Sequence, residues 1–168
     1  MIAVLISIRP KWCEKIISGE KTIEVRKTRP KMDTPFRGYI YRTKGTVPHI
    51  INGKWVQMEV GGTIIAEFTC DRIYELEMRS PGGSYYVKGE DQPTTNDVAR
   101  HSCLTLWDMH EYLQAGKGYG WHISNLRIYD HPRDLWEFAG LQRETEFGLA
   151  PKPITRPPQS WRYVEEQI

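Results

Sequence analysis

The sequence has few cysteines, no long apolar run and little net charge. Its 168 residues suit one domain and include three cysteines, Cys13, Cys70 and Cys103, an odd number without close pairing. That count argues against a disulfide framework and indicates a reducing compartment. No apolar stretch approaches the roughly 18 residues of a membrane-spanning helix, and the apolar residues 1–8 lack the basic flank and cleavage site of a signal peptide. We therefore expect a cytoplasmic protein with no membrane partner.

Familiar catalytic and metal-binding motifs are missing as well. No CxxC or HExxH spacing and no GxSxG elbow appears in the chain. His101 and Cys103 lie two positions apart, but an ordinary hydrogen-bonded loop histidine explains this pair better than a metal site does. Gly116, Gly118 and Gly120 precede a strand pattern, so they lack the helix N-terminus that a phosphate loop needs. We predict no metal and no cofactor.

Charge is nearly balanced, with 23 basic and 21 acidic residues and a net charge of +2. A strongly basic domain would predict tracking along phosphates, whereas this balance allows only a local basic patch. The first third of the chain supplies one, although an ordinary solvated surface explains it equally well. Its basic residues are Arg9, Lys11, Lys15, Lys21, Arg26, Lys27, Arg29 and Lys31.

Hydropathy patterns predict an α+β chain in which strands dominate. Residues 2–8 are apolar and rich in β-branched side chains, which predicts a buried strand, and Pro10 and Gly19 suit the two ends of a short helix. Further strands are predicted at 22–27, 38–42, 63–76, 119–129 and 160–166, further helices at 104–114 and 132–139, and an irregular insertion at 80–103. About six strands and three short helices predict one domain, residues 1–168, built as a small, mixed, partly closed β-barrel.

The most informative segment is residues 7–27. Strict alternation in its last six residues places Glu24 and Arg26 on one face of a strand. Lys21 lies at the entrance to that strand, and Arg9 lies where the first strand meets the helix. A carboxylate between cations stays ionised, and the cations can hold a phosphate or polarise a carbonyl. The alternative is an ordinary amphipathic strand with a surface ion pair worth about 0–1 kcal/mol.

A second candidate surface follows the glycines at 116–120. Alternation there places Tyr119, Trp121 and Ile123 on one side of a strand and His122 on the other. An exposed tryptophan would stack a base, which is worth roughly 1–3 kcal/mol. The alternative is that Trp121 fills the core.

A string of the form glycine-x-lysine-x-x-glutamate-x-arginine follows the predicted first helix. Its members are Gly19, Lys21, Glu24 and Arg26. By this string, in its strand–helix–strand context, the chain resembles the ASCH family. Residues 118–130 and 156–166 also resemble segments of short ASCH proteins from bacteria and their phages.

The resemblance implies a PUA-like barrel with a cleft, between the first helix and the barrel, that is proposed to bind RNA. Carried over by position, Lys21, Glu24 and Arg26 line this cleft. To these we add Arg9 and Trp12 from the geometry of the segment, and Trp121 from the second surface. The expected partner is single-stranded RNA, a nucleotide or a nucleoside.

Two alternatives to simple binding remain open. Some ASCH proteins are amidohydrolases that deacetylate N4-acetylcytidine with the motif lysine, a threonine and a distant glutamate. Here Lys21 matches the lysine, Glu24 occupies the threonine position, and Glu111 is one candidate for the glutamate. This departure from the threonine argues against a threonine nucleophile and leaves open a modified mechanism, with Glu24 as general base and Lys21 stabilising the oxyanion. The same pair could serve the cleavage of single-stranded RNA that other ASCH proteins carry out. The other alternative is a protein-interaction domain anchored by Trp136 and Trp161.

Overall fold

The computed structural model describes residues 1–144 and 148–167, most of which lie in β-sheets. The strands in chain order are β1 (Ile2–Ile8), β2 (Ile23–Arg26), β3 (Phe36–Arg42), β4 (Gly45–Ile51), β5 (Lys54–Val60), β6 (Thr63–Cys70), β7 (Ile73–Met78), β8 (Tyr85–Val87), β9 (Gly118–His122), β10 (Ser124–Arg133), β11 (Ala139–Glu144), β12 (Gly148–Pro153) and β13 (Trp161–Glu165). The helices are α1 (Pro10–Ile17), α2 (Thr95–Ser102) and α3 (Leu106–Leu113). The α+β class is confirmed.

The prediction of about six strands is wrong, because the described residues contain thirteen. Two predicted strands are each divided in two. The pattern at 63–76 is interrupted after Cys70, and the pattern at 119–129 is interrupted at Ile123, whose backbone N–H turns to the Thr22 carbonyl at 2.8 Å. Alternating hydropathy continues across such breaks, so it overestimates strand length and underestimates strand number.

The chain forms two compact units. The first comprises Met1–Glu14, Arg37–Phe68 and Leu126–Ile168, and the second comprises Lys15–Phe36 and Thr69–Asn125.

The first unit is organised around β1, whose residues after Ile2 are all buried. This strand pairs in parallel with β3 on one side and antiparallel with β13 on the other, so an apolar run fits both of its faces. The seven-stranded sheet has the order β10-β6-β3-β1-β13-β11-β12. Its core includes Tyr39 and Phe138, whose rings meet edge to face with centroids 5.0 Å apart. The end strands of this order are β10 and β12, so the closure of a barrel stays a prediction.

Strands β4 and β5 form a separate two-stranded hairpin in the first unit. Asn52 and Gly53 connect them and both have positive φ, at 52° and 75°, as a two-residue hairpin turn requires. Its exposed apolar side chains include Ile50 and Trp55, which are directly opposite each other. No strand was predicted here.

The second unit contains a four-stranded sheet of order β2-β9-β7-β8 with α2 and α3 packed on it. Ile23 and Val25 of β2 share its apolar core with Leu76, and the two helices contribute buried side chains such as Val98 and Met109. The core therefore lies between one face of the sheet and the two helices.

The prediction of an irregular insertion at 80–103 is wrong over much of its length, because the segment contains β8 and α2. A capping box begins α2, in which the Thr94 hydroxyl accepts from the Asp97 N–H and the Asp97 carboxylate accepts from the Thr94 N–H. The same pattern, with Thr105 and Asp108, begins α3, and this helix confirms the prediction at 104–114.

The helix predicted at 132–139 is also wrong. Strand β10 continues to Arg133, and only one 3₁₀ turn, Leu135–Glu137, follows it. Pro132 is compatible with the end of an exposed strand as well as with the first turn of a helix. Its presence therefore does not distinguish a strand from a helix at this position. Within residues 1–144 and 148–167, no helix has the length and apolar character that crossing a bilayer requires.

Candidate functional site

Three charged side chains of the predicted string meet in the second unit. Glu24 and Arg26 lie two residues apart on β2 and therefore project from the same face, and Lys21 precedes the strand. The Lys21 Nζ lies 3.0 Å from Glu24 Oε2, and the Arg26 Nη2 lies 2.9 Å from Glu24 Oε1. One carboxylate thus bridges two cations, and we call these three residues the charged cluster.

The charged cluster is almost completely buried. Lys21, Glu24 and Arg26 are 3 %, 7 % and 9 % exposed. A buried ion pair is tolerated when its remaining hydrogen-bonding groups also find partners. From the sequence, the face of β2 that carries Glu24 and Arg26 could line a cleft or belong to an ordinary solvated surface. The burial of these side chains argues against the solvated surface.

Lys21 is held by backbone carbonyls as well as by Glu24. Its Nζ donates to the Ile23 carbonyl at 3.0 Å and to the Ser102 carbonyl at 2.8 Å. An ammonium has three donors, and each therefore has an acceptor within 3.0 Å. Ser102 is the last residue of α2, so the cation also faces the negative end of that helix dipole. The Lys21 side chain joins the start of β2 to the end of α2.

Tyr112 of α3 lies within electrostatic reach of the cluster. Burial raises the pKa of its hydroxyl, an effect that the Glu24 carboxylate reinforces and the Arg26 guanidinium opposes. The Lys27 Nζ lies 5.3 Å from the centre of the Tyr112 ring, and the residue is 40 % exposed. Sequence reasoning missed Tyr112, because its position in a helical pattern gave no sign of this proximity. Glu111, the candidate distant glutamate, is exposed on the same helix.

Trp121 is a core residue in this structure. It is fully buried on β9, opposite Glu24 in the backbone register, and its ring meets Phe36 edge to face with centroids 5.8 Å apart. This is the core alternative described above. We therefore leave Trp121 out of the stacking surfaces considered below.

Arg9 and Trp12 lie in the first unit, and their part in a shared site stays a prediction. Arg9 is exposed, and its carbonyl accepts the backbone N–H of Trp12 at 3.0 Å in the first turn of α1. Trp12 is half-buried, with the Lys11 Nζ 4.3 Å from its ring centre.

The anchors of the protein-interaction alternative also lie in the first unit. Trp136 is exposed, whereas Trp161 is half-buried and meets Tyr163 edge to face with centroids 5.4 Å apart. An exposed single tryptophan is normal on a protein surface. The surroundings of these two tryptophans therefore add nothing specific in favour of that alternative.

Comparison with solved structures shows that the fold is that of ASCH structures from Zymomonas mobilis. One such structure has a TM-score of 0.61 at 17 % identity, covering 98 % of this chain and 88 % of that one. A tyrosine-to-phenylalanine variant of the same protein gives 0.57, and a serine-to-alanine variant gives 0.59, both at 17 % identity and 98 % coverage of this chain. They are covered over 91 % and 89 % of their own lengths. No family profile matches the sequence, and no curated protein matches it significantly.

Proposed function

We propose that this chain, which has the fold of ASCH structures, binds single-stranded RNA or a modified nucleotide through the charged cluster. The observation that carries the proposal is a single carboxylate, Glu24, held at 2.9–3.0 Å between two cations in an almost closed setting. With two positive groups and one negative group, the cluster has a net charge of +1.

The chemistry of the cluster favours the edge of a base over a run of phosphates. A carboxylate accepts from the amino group of cytosine, and a guanidinium donates to base carbonyls and ring nitrogens. Glu24 and Arg26 offer this acceptor and these donors side by side. The Glu24 carboxylate would repel a chain of phosphates. Binding several phosphates would also need more exposed cations than the cluster supplies.

Burial makes the cluster selective. A ligand group that replaces one of the internal contacts must restore its hydrogen bonds, because an unpaired buried charge costs several kcal/mol. A site of this kind rejects analogues that lack one donor or acceptor much more strongly than an apolar pocket does. Tyr112, which is 40 % exposed, supplies a ring within electrostatic reach of the cluster on which a base can stack.

The decisive test replaces all three charges together. The triple variant Lys21→Met, Glu24→Leu and Arg26→Met keeps similar side-chain volumes, and apolar replacement of a whole buried ion-pair network often leaves stability unchanged or higher. We expect this variant to fold and to lose affinity for a fluorescein-labelled ten-nucleotide single-stranded RNA of mixed sequence, measured by fluorescence anisotropy. Wild-type affinity is expected to depend weakly on salt, with a slope of about 0.7 per phosphate contacted.

The exposed pair Lys15 and Glu20 provides a matched control in the same unit. The variant Lys15→Gln with Glu20→Gln removes an ion pair of the same charge types without touching the charged cluster. Its RNA affinity should equal that of the wild type. A folded triple variant that binds RNA as tightly as this control does would overturn the proposal.

A hydrolase is the second candidate, because Glu24 and Lys21 supply a carboxylate and a cation within 3.0 Å of each other. Glu24 would take a proton from water as the water oxygen attacks the acetyl carbonyl of N4-acetylcytidine. The protonated Glu24 would then give this proton to the N4 nitrogen as the C–N bond breaks, which releases acetic acid and cytidine. Lys21 would have to exchange one of its present acceptors for the oxyanion. Incubation with N4-acetylcytidine and with labelled RNA tests both hydrolytic chemistries. Activity retained by Glu24→Gln would exclude Glu24 as the base.

A further inference from the structure

A groove of about 960 Å³ opens in the second unit, away from the charged cluster. Residues of three segments line it, within 79–89, 93–96 and 106–110. It therefore lies against β8 and the first turns of α2 and α3. The volume is that of a cleft for a small organic ligand, and we call it the aromatic groove.

Trp107 presents an open ring face in this groove. It is 70 % exposed, and its ring is nearly parallel to that of His110, at 14° with centroids 6.5 Å apart. Residues three apart on a helix are neighbours, so α3 itself aligns the two rings. His110 in turn meets the buried Tyr85 edge to face at 6.0 Å. Tyr85 and His110 thus support an aromatic platform that solvent reaches at Trp107.

A cation lies over a second ring of the groove. The Arg79 guanidinium carbon is 5.4 Å from the centre of the Tyr86 ring. The Tyr86 hydroxyl donates to Glu77 Oε2 at 2.9 Å, and Glu77 is paired with the Lys117 Nζ at 2.9 Å. These contacts fix the ring beneath a guanidinium that is always charged.

The formal charge in the lining of the aromatic groove is positive. Among the described residues that line it, none has a carboxylate, and Arg79 supplies a guanidinium. Of the nearby acids, Asp97 and Asp108 are engaged in the capping boxes of α2 and α3, and Glu77 is paired with Lys117. The exposed acidic residues at 90–91 lie in the loop beyond Gly89 and outside the lining. An anionic ligand is therefore favoured over a cationic or neutral one.

We infer that the aromatic groove binds one nucleotide of a single strand, with its unpaired base stacked on Trp107 and a phosphate near Arg79. Aromatic faces and cations together are how proteins hold unpaired nucleotides without reading their sequence. The inference goes beyond the charged cluster and does not depend on it, because the two share no residue. The groove lies at the N-terminal end of α2, and Lys21 contacts the C-terminal end of the same helix. Eight helical residues span about 12 Å, which is the distance along the helix between the two sites. One strand can therefore reach both.

Substitution of Trp107 tests the stacking site. With a fluorescein-labelled decaadenylate RNA as the probe, Trp107→Ala should weaken binding about 5- to 150-fold, the range that loss of one base–aromatic stack produces. Trp107→Phe keeps a ring and should bind with an affinity between those of wild type and Trp107→Ala. Arg79→Gln should reduce the slope of log affinity against log salt by about 0.7, the value for one phosphate on a single strand.

Trp136 supplies the matched control, because it is 67 % exposed and belongs to the first unit. Trp136→Ala should leave the RNA affinity unchanged. Ultraviolet cross-linking followed by peptide mass spectrometry gives a second measurement, and cross-links in the peptides containing Tyr86 and Trp107 would support the groove. Trp107→Ala and Trp136→Ala both replace exposed side chains, so the unfolding midpoints of these two variants should stay close to that of the wild type.

The outcomes separate this inference from the proposed function. Loss of affinity in Trp107→Ala with binding retained by the triple cluster variant supports the groove and overturns the cluster. Loss of affinity only in the triple variant does the reverse. The groove inference is overturned if decaadenylate does not bind, if Trp107→Ala binds it as tightly as wild type, or if cross-links fall only outside 79–110. If the groove binds a peptide instead of a nucleotide, decaadenylate should not bind.

Discussion

The charged cluster and the aromatic groove occupy the same unit but rest on opposite physical arrangements. In the cluster, three charges satisfy one another and two carbonyls with almost no solvent contact. In the groove, the Trp107 ring lies parallel to the His110 ring and is largely exposed to solvent. Removing a group from the cluster leaves buried partners unsatisfied, whereas removing an exposed ring leaves little behind. Stability and binding should therefore respond differently at the two sites.

The largest effect is expected when Glu24 alone is removed. Glu24→Ala leaves the Lys21 ammonium and the Arg26 guanidinium buried side by side without their shared carboxylate. Breaking a buried ion pair by deleting one partner costs about 3–5 kcal/mol. Urea unfolding should show this loss as a lower midpoint without a change in slope.

Two comparisons sharpen that measurement. Trp107→Ala in the aromatic groove should leave the midpoint nearly unchanged, and so should Glu20→Gln in the exposed pair with Lys15. The triple replacement of the cluster should recover most of the stability that Glu24→Ala loses. A Glu24→Ala protein as stable as the wild type would mean that water reaches the two cations, and the contrast between a closed and an open site would fail.

A smaller loss is expected where α3 meets β9. A Cβ added at Gly118 would lie 2.6 Å from Leu113 Cδ1, and Leu113 is buried. Overpacking of this kind costs about 1–3 kcal/mol. Because α3 carries both Tyr112 and Trp107, Gly118→Ala should lower stability and RNA affinity together, unlike substitutions at either site alone.

The double variant with Leu113→Val provides the control for Gly118→Ala. A smaller side chain at 113 relieves the overlap, so the two losses of stability should combine to less than their sum in a double-mutant cycle. Strictly additive losses would show that Gly118 does not determine the position of α3.

The sequence predicted the cluster better than the groove, for a local reason. Lys21, Glu24 and Arg26 lie within six residues, and the period of a strand alone brings two of them to one face. Their burial could not be predicted, because it depends on the carbonyl of Ser102, 81 residues from Lys21. The same holds for Tyr112, whose neighbours come from another element.

Part of the aromatic groove, its lining residues between 82 and 96, falls in the segment that the sequence predicts to be an irregular insertion. The prolines and glycines between 81 and 93 dominated that interpretation. The spacing of Thr94 and Asp97 was the available sign of α2, since threonine followed three residues later by an acid marks a helix start. The exposure of Trp107 had no such sign, because helical spacing shows which residues share a face but not what covers it.

The smallest predicted effect concerns Glu77, an acid beneath the aromatic groove. Hydrogen bonds from Lys117 and Tyr86 lower the pKa of its carboxyl from 4.5 to about 2. A carboxyl with a lowered pKa in the folded state stabilises the protein above the unfolded value near 4.5, and this contribution disappears as the pH falls through about 2. The thermal unfolding midpoint of wild type should therefore exceed that of Glu77→Gln at pH 7, and the difference should vanish between pH 4.5 and 2.

Glu77→Gln also tests whether binding in the aromatic groove requires the hydrogen bond that holds the Tyr86 ring in place. The Tyr86 hydroxyl donates to Glu77, and Arg79 lies over the Tyr86 ring, so a weaker hold on the ring should reduce decaadenylate affinity a few-fold at pH 7. The side-chain carbonyl of a glutamine can still accept a hydrogen bond from the Tyr86 hydroxyl, which is why the loss should stay below that of Trp107→Ala. If the midpoints of wild type and Glu77→Gln instead run parallel from pH 7 to pH 2, Glu77 is not an ionised anchor. The aromatic groove would then rest on Trp107 and His110 alone, because α3 orients those two rings without any acid.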